Sequence, residues 1–232
     1  MQRSLTDALP DALRDEGATV YLPLSATTCT LFDGVVAGFR DLSASILRTL
    51  HFELRCHALH GLRACFRGNV GPADGASLAP DPAALALAAD VRDFHRAIAG
   101  HLSGPETRFV CAGLGDLVDA RLLSSCARHV ETLSKAGCAS LRRDADVLYH
   151  NLINVDAHAE LSRVTGWLAL FEQGSEAVVA AGRAGLYSEA ELTALVQLQF
   201  RGLNRQEALK EKGDLDDRLM QLRRAMAATS AE

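Results

Sequence analysis

Apolar residues recur every three or four positions over an unbroken stretch from residue 30 to residue 67. They are Phe32, Val35, Val36, Phe39, Leu42, Ile46, Leu47, Leu50, Leu54, Ala58, Leu62, Cys65 and Phe66. This spacing keeps them on one stripe of an α-helix, and no proline interrupts it. At 1.5 Å per residue such a helix would run roughly 57 Å, more than the diameter of a small globular domain. The pattern therefore predicts an elongated bundle or rod.

The rest of the chain alternates between helical patterns and breaks. Residues 1–16 read as a short helix interrupted by Pro10. Residues 17–29 carry β-branched residues and Pro23, and read as an extended lead-in; a sheet would need partner strands, and none is expected elsewhere. Gly and Pro punctuate residues 68–80, the clearest loop. Asp81-Pro82 then reads as an N-cap followed by proline at the first helical position, opening a second helix to about Leu102. Ser103-Gly104-Pro105 marks a break. A third helix is expected over 106–134 and a fourth over 136–153. Asp156 is positioned to cap a fifth, ending near Gly182, with Gly185 continuing the turn. Ser188-Glu189-Ala190-Glu191 is a capping box that starts a sixth helix, to about Arg201. Lys212-Gly213-Asp214 precedes a last helix over 215–227. Short connections imply antiparallel neighbours. The expected architecture is all-α: an elongated helical bundle or rod of about six to eight antiparallel helices. It divides into a lead-in over 1–29, a helical-bundle domain over 30–227 and a tail over 228–232.

Composition narrows the functional classes. The chain has 232 residues and is 48% hydrophobic, enough for one sizeable core. A net charge of −5 argues against broad nucleic-acid binding, which needs clustered Lys and Arg, and against direct binding to anionic lipid. The Arg142-Arg143 and Arg223-Arg224 doublets each have acidic neighbours and read as solvated helix faces. Acidic residues at Asp7, Asp11, Asp15 and Glu16 leave no apolar leader, so no signal peptide is expected. Residues 17–32 are uncharged but contain Pro23 and fall short of a membrane span, so a soluble, cytoplasmic protein is expected. The cysteines at 29, 56, 65, 111, 126 and 138 show no CxxC spacing and read as reduced, mostly buried thiols.

Several patterns suggest chemistry and are outweighed by structural readings. Glu53, His57 and His60 fall at i, i+4 and i+7 on one helix face, and a carboxylate with two imidazoles is a zinc-type ligand set. HExxH is absent, and an intrahelical Glu53–His57 pair is the plainer reading. His158-Ala159-Glu160 matches half of the zinc-deaminase signature without its Pro-Cys-x-x-Cys half. Gly113-Leu114-Gly115 lacks the third glycine and the preceding strand of a nucleotide loop; it reads as a helical or kinked segment in close approach to a neighbouring helix. Ser175 lacks the GxSxG frame. Cys56 and His57 are adjacent and so point about 100° apart on a helix. Trp167 and Phe171, at i and i+4, read as core. No catalytic, cofactor or metal site is expected.

Four stretches resemble, in order, the C-terminal helical region of the exocyst subunit family called exocyst complex component four (Sec-eight). They are Leu50-His51-Phe52-Glu53-Leu54-Arg55, the helix start at Asp81-Pro82, Phe109-Val110-Cys111-Ala112-Gly113-Leu114-Gly115-Asp116-Leu117, and Leu148-Tyr149-His150-Asn151-Leu152-Ile153-Asn154-Val155. The resemblance spans about residues 30–226. It implies a structural subunit without catalysis or cofactor, part of a tether that holds secretory vesicles at the plasma membrane before fusion. It further implies contacts with other exocyst subunits and, indirectly, with small GTPases and the fusion machinery, at the cytoplasmic face of secretion sites and without membrane insertion. The mixed-charge segment over residues 205–224 is a candidate interface rim, although its charges alternate in sign and a solvated helix face is the more common reading of such a segment. The alternative, from the residues alone, is a stand-alone helical bundle that binds a small ligand or a metal.

Overall fold

The computed structural model describes residues 26–66, 68–70, 79–201 and 205–229. It divides into two units, Met1–Ile46 and Leu47–Glu232. The expected lead-in over 1–29 and tail over 228–232 lie largely outside the described residues.

The all-α expectation holds. Among the described residues there are nine helices, with one short pair of strands. Helix α1 (Ala26–Leu62) is the long helix of the apolar stripe, but it stops five residues before the predicted end. The chain there leaves the helix in a tight turn, with Phe66 in the left-handed region at φ 58°. Ser125 holds that turn from a distance: its Oγ lies 3.2 and 3.1 Å from the Cys65 and Phe66 carbonyls, one proton shared between two acceptors. Cys65 and Phe66 are buried, as the stripe implied, but off the helix.

The stripe itself has two fates. Within the larger unit Leu54, Ala58 and Leu62 are buried and Leu47 and Leu50 pack against the core. Upstream, within the first unit, Leu31, Phe32, Val35, Phe39, Leu42 and Ile46 are all exposed, Phe39 by 68%. Periodicity alone placed both halves in one core; it reports which residues share a face, not whether the face is covered.

The strands correct a second expectation. β1 (Gly68–Val70) falls in the segment read as loop, and β2 (Val130–Leu133) in the last part of the predicted third helix. They pair in parallel, Gly68 with Val130, Asn69 with Thr132 and Val70 with Leu133, with an irregularity after Gly68. Val130 and Leu133 are buried. A four-residue strand is too short to show a period, and only the pairing across some 60 residues selects it over helix.

Glycines account for the extra helices. α2 (Pro82–Ala99) begins as expected, with Asp81 Oδ1 accepting from the Ala83 N–H at 2.8 Å. The predicted third helix is split into α3 (Gly104–Cys111) and α4 (Leu114–His129) by Gly113, at φ 71°. The predicted fourth is α5 (Lys135–Leu152). The fifth is split into α6 (Ser162–Gln173) and α7 (Ser175–Arg183) by Gly174, at φ 92°. α8 (Glu189–Arg201) carries the expected capping box: the Ser188 N–H donates to Glu191 Oε2 at 2.8 Å, and the Glu191 N–H to Ser188 Oγ at 3.3 Å. α9 (Arg205–Thr229) starts well before the predicted 215.

In the larger unit α2 packs on α5, α6 lies against α4 and α5, and α7, α8 and α9 pack together. Trp167 sits fully buried in the middle, its indole N–H donating to the Glu191 carbonyl at 3.0 Å.

Two buried carboxylates, each from another helix, complete the hydrogen bonding at helix starts. The residue before α6 is Leu161, which has no polar side chain. Asp119, from α4, accepts instead from the Arg163 and Val164 N–H groups at 3.0 and 2.8 Å. Asp144, from α5, accepts from the Asp81 N–H at 2.7 Å. This is the bond that a glutamate at the third helical position makes in a capping box; that position here is Ala84. Burial pushes both carboxyls above the usual range, against the pull of these same hydrogen bonds. A raised folded-state value favours the folded protein at low pH, and that contribution fades as pH rises through it.

Two outcomes follow from this packing. A Cβ at Gly115 would lie 2.5 Å from the Ala159 Cα, a backbone atom that cannot step aside. Gly115→Ala should therefore destabilise by about 1–3 kcal/mol, seen as a lower melting temperature, whereas Gly34→Ala, which would meet nothing within 4 Å, should raise helical circular dichroism. Asp119→Ala strands two N–H groups at the α6 start and should cost about 1–3 kcal/mol in chemical denaturation. In the same assay the wild type should gain stability relative to Asp119→Asn as pH falls from neutrality, because only the wild type sheds a buried charge.

Candidate functional site

The four resemblance-bearing stretches meet at joints between helices. The first lies on α1 and grips the end of α3, in the third stretch. His51 Nδ1 is 3.1 and 3.0 Å from the Phe109 and Val110 carbonyls, and the imidazole stacks on the Phe109 ring at 5.5 Å. Arg55 Nη2 donates to the Ala112 carbonyl at 2.8 Å, and Arg55 Nη1 lies 3.0 Å from His51 Nδ1. A protonated Nδ1 donates to the α3 carbonyls; a bare one accepts from Arg55. One atom cannot do both, so the imidazole tautomer and the arginine contact are coupled. The guanidinium also complements the negative end of the α3 dipole. Gly113 follows in the left-handed conformation that commonly closes a helix, with Arg55 Nη2 over it. Gly115 makes the expected close approach, though to Ala159 in the α5–α6 connection rather than to a helix.

The second stretch opens α2 and the fourth closes α5, and these two helices pack together. Leu148 and Leu152 are buried there. Asn151 and Asn154 turn their amides back to the Val147 and His150 carbonyls at 2.8 and 2.7 Å. Leu148, Asn151 and Leu152 share with Leu87, Ala88, Val91 and Val118 a cavity of about 10 Å³, room for one water at most.

The chemistry weighed in the sequence resolves differently for each group. His57 lies between two carboxylates: Nδ1 is 3.1 Å from Asp90 on α2 and Nε2 is 3.5 Å from Glu53. The partners sit on opposite edges of the ring and cannot converge on one ion. Among the described residues no three His, Cys, Asp or Glu side chains are grouped to hold a metal, so Glu53, His57 and His60 do not form a ligand set. His158 lies in the α5–α6 connection, its N–H donating to Asp156 Oδ1 at 3.2 Å. Asp156 thus closes a turn; it does not cap a helix. Ser175 is the first residue of α7. Trp167 is in the core and Phe171 packs against it, as their spacing implied.

All six cysteines are free, with Cys29 and Cys56 exposed and the others buried. Burial raises the thiols of Cys65 and Cys111 to about 11 and that of Cys138 to about 12, and lifts Cys126 further still. A thiol in that range carries almost no thiolate at neutral pH and is a poor nucleophile.

The proposed rim over 205–224 is partly occupied within the chain. Arg223 Nε donates to Glu189 Oε1 on α8 at 3.2 Å, and Arg218 lies 3.9 Å from Glu176 on α7. Side chains over 205–214 lie outside the described residues.

Sequence reasoning missed Asp119, Asp144 and Ser125. Each is a short polar residue among buried apolar positions of a predicted helix, and that mismatch was the available signal. Thiol titration of the folded protein should modify Cys29 and Cys56 promptly, with the four buried thiols reacting only on unfolding; a fast phase of more than two thiols would contradict this burial.

No protein-family model matches the chain. Among curated proteins it is similar to a probable exocyst complex component sec8 of Neurospora crassa, 29% identical over 174 residues, which cover 74% of this chain and 16% of that protein. It is also similar to exocyst complex component 4 of Homo sapiens and of Mus musculus, each 26% identical over 140 residues, covering 60% of this chain and 14% of the relative. The chain thus spans a small part of the length of these relatives. The similarity bears out the resemblance to the exocyst subunit family.

Proposed function

We propose that this chain acts as a structural part of an exocyst tether. It would help to hold secretory vesicles at the plasma membrane before fusion by binding other exocyst subunits, with no chemistry of its own. The observation that carries this reading is the similarity to curated exocyst components across 74% of the chain. The joint architecture supports it. The residues that carry the resemblance close helix ends and fill contacts between helices, which is what a scaffold needs.

In this reading small GTPases and the fusion machinery are reached indirectly, through sister subunits. The chain works at the cytoplasmic face of secretion sites, and among the described residues no helix is long and apolar enough to cross a membrane. The metal-binding alternative is not favoured by a His57 whose nitrogens face separate carboxylates.

A tagged copy expressed in its native cell should recover other exocyst subunits and concentrate where secretion occurs. Truncation after Gly202, which removes α9, should weaken that recovery if the terminal rim contributes. A folded, tagged copy that recovers no tether subunit would overturn the assignment.

A further inference from the structure

We propose that two copies of this chain associate through the upstream half of α1, antiparallel and about a two-fold axis near residue 37. The pairing goes beyond the tether reading and does not depend on it.

The surface is a seam with a strict heptad step. Phe32, Val35, Phe39, Leu42 and Ile46 follow one another by three, four, three and four residues. Each is a large apolar side chain at least 45% exposed. Such a seam is the a/d pattern of paired helices, and it remains in water unless another helix covers it.

The flanks indicate the occupant. In paired helices the flanking positions normally carry charges that choose the partner. Here they are Leu31, Gly38 and Ser45 on one side and Val36 and Ser43 on the other. The charged residues of this half, Asp33, Arg40 and Asp41, all fall more than about 100° from the seam centre by helical spacing. A two-fold interface sets every residue against a residue of the same surface, so a charged flank would meet a like charge in many registers. A seam with no flanking charge carries no such penalty.

The layers also match themselves. In an antiparallel pair centred near residue 37, Phe32 lies opposite Leu42 and Val35 opposite Phe39, each layer occurring twice. Large aromatic residues thereby face smaller aliphatic ones instead of each other. Near the axis Gly38 faces Gly38 on one flank, where a Cβ would meet nothing within 4 Å, so the backbones can approach closely. A parallel pair would instead stack Phe32 on Phe32 and Phe39 on Phe39.

Covering this seam buries on the order of 1,000 Å², the low end for a specific interface, and a dissociation constant on the order of 10 µM is expected. Sedimentation equilibrium of the full chain, with Cys29→Ser and Cys56→Ser to remove exposed thiols, should show a reversible monomer–dimer equilibrium in that range. Phe39→Glu and, separately, Leu42→Glu should return the mass to monomer while leaving the melting temperature unchanged when it is measured well below that concentration range, because both side chains are exposed in the single chain. Orientation is read by mixing a Leu31→Cys chain with a Ser45→Cys chain and adding a short bis-maleimide. An antiparallel pair joins unlike chains, whereas a parallel pair joins like ones, since positions 31 and 45 are about 21 Å apart along one helix. The proposal is overturned if the protein remains monomeric well above that concentration, if both glutamate variants still dimerise, or if only like chains are joined.

Discussion

Several helix ends in this protein are held by side chains from far along the chain, and the packing of the larger unit depends on that. A helix leaves four N–H groups and four carbonyls without partners, and in a core they cannot be left to water. The α6 start is satisfied by Asp119, 44 and 45 residues away. The Asp81 N–H at the α2 start is satisfied by Asp144, 63 residues away. The α3 end is held by His51 and Arg55 of α1, and the turn after α1 by Ser125. Each bond fixes a helix end against a second helix, so element length and tertiary packing are set by the same contacts. Buried polar groups with such partners are also a source of uniqueness, because a shifted helix would strand both donor and acceptor.

The placement of these joints explains where the resemblance to exocyst subunits lies. His51 and Arg55 sit in one shared stretch and grip the carbonyls of another. Asp81 sits in a third. Leu148 and Leu152, in the fourth, pack beneath α2. These are constraints of assembly within the chain and do not make a pocket. The groups that looked chemically active in isolation also serve the packing. His57 bridges α1 to Asp90 on α2, and four thiols are held protonated by burial.

Helix α1 shows how one pattern serves two purposes. Its apolar stripe runs the length of the helix, but only the part within the larger unit finds a covering core. The remainder carries Phe32 and Phe39 into solvent. Hydrophobic free energy scales with the area removed from water, so the exposed half keeps a driving force that the proposed pairing of two copies would use.

Strongly periodic and locally encoded features were legible in the sequence. The all-α class, the long helix, the Asp81-Pro82 start and the Ser188–Glu191 capping box all depend on residues within one or two turns of each other, so spacing alone reveals them. The split at Gly113 was half legible: glycine signalled a weak point, but whether a helix bends or ends there depends on what holds each side, and the split at Gly174 was not foreseen. The β1–β2 pair, the Asp119 and Asp144 caps and the exposure of residues 31–46 belonged to the tertiary structure. Each is a relation between segments distant in the chain, or between a face and its cover. Periodicity records the direction in which a side chain points; only the folded chain decides what lies in that direction.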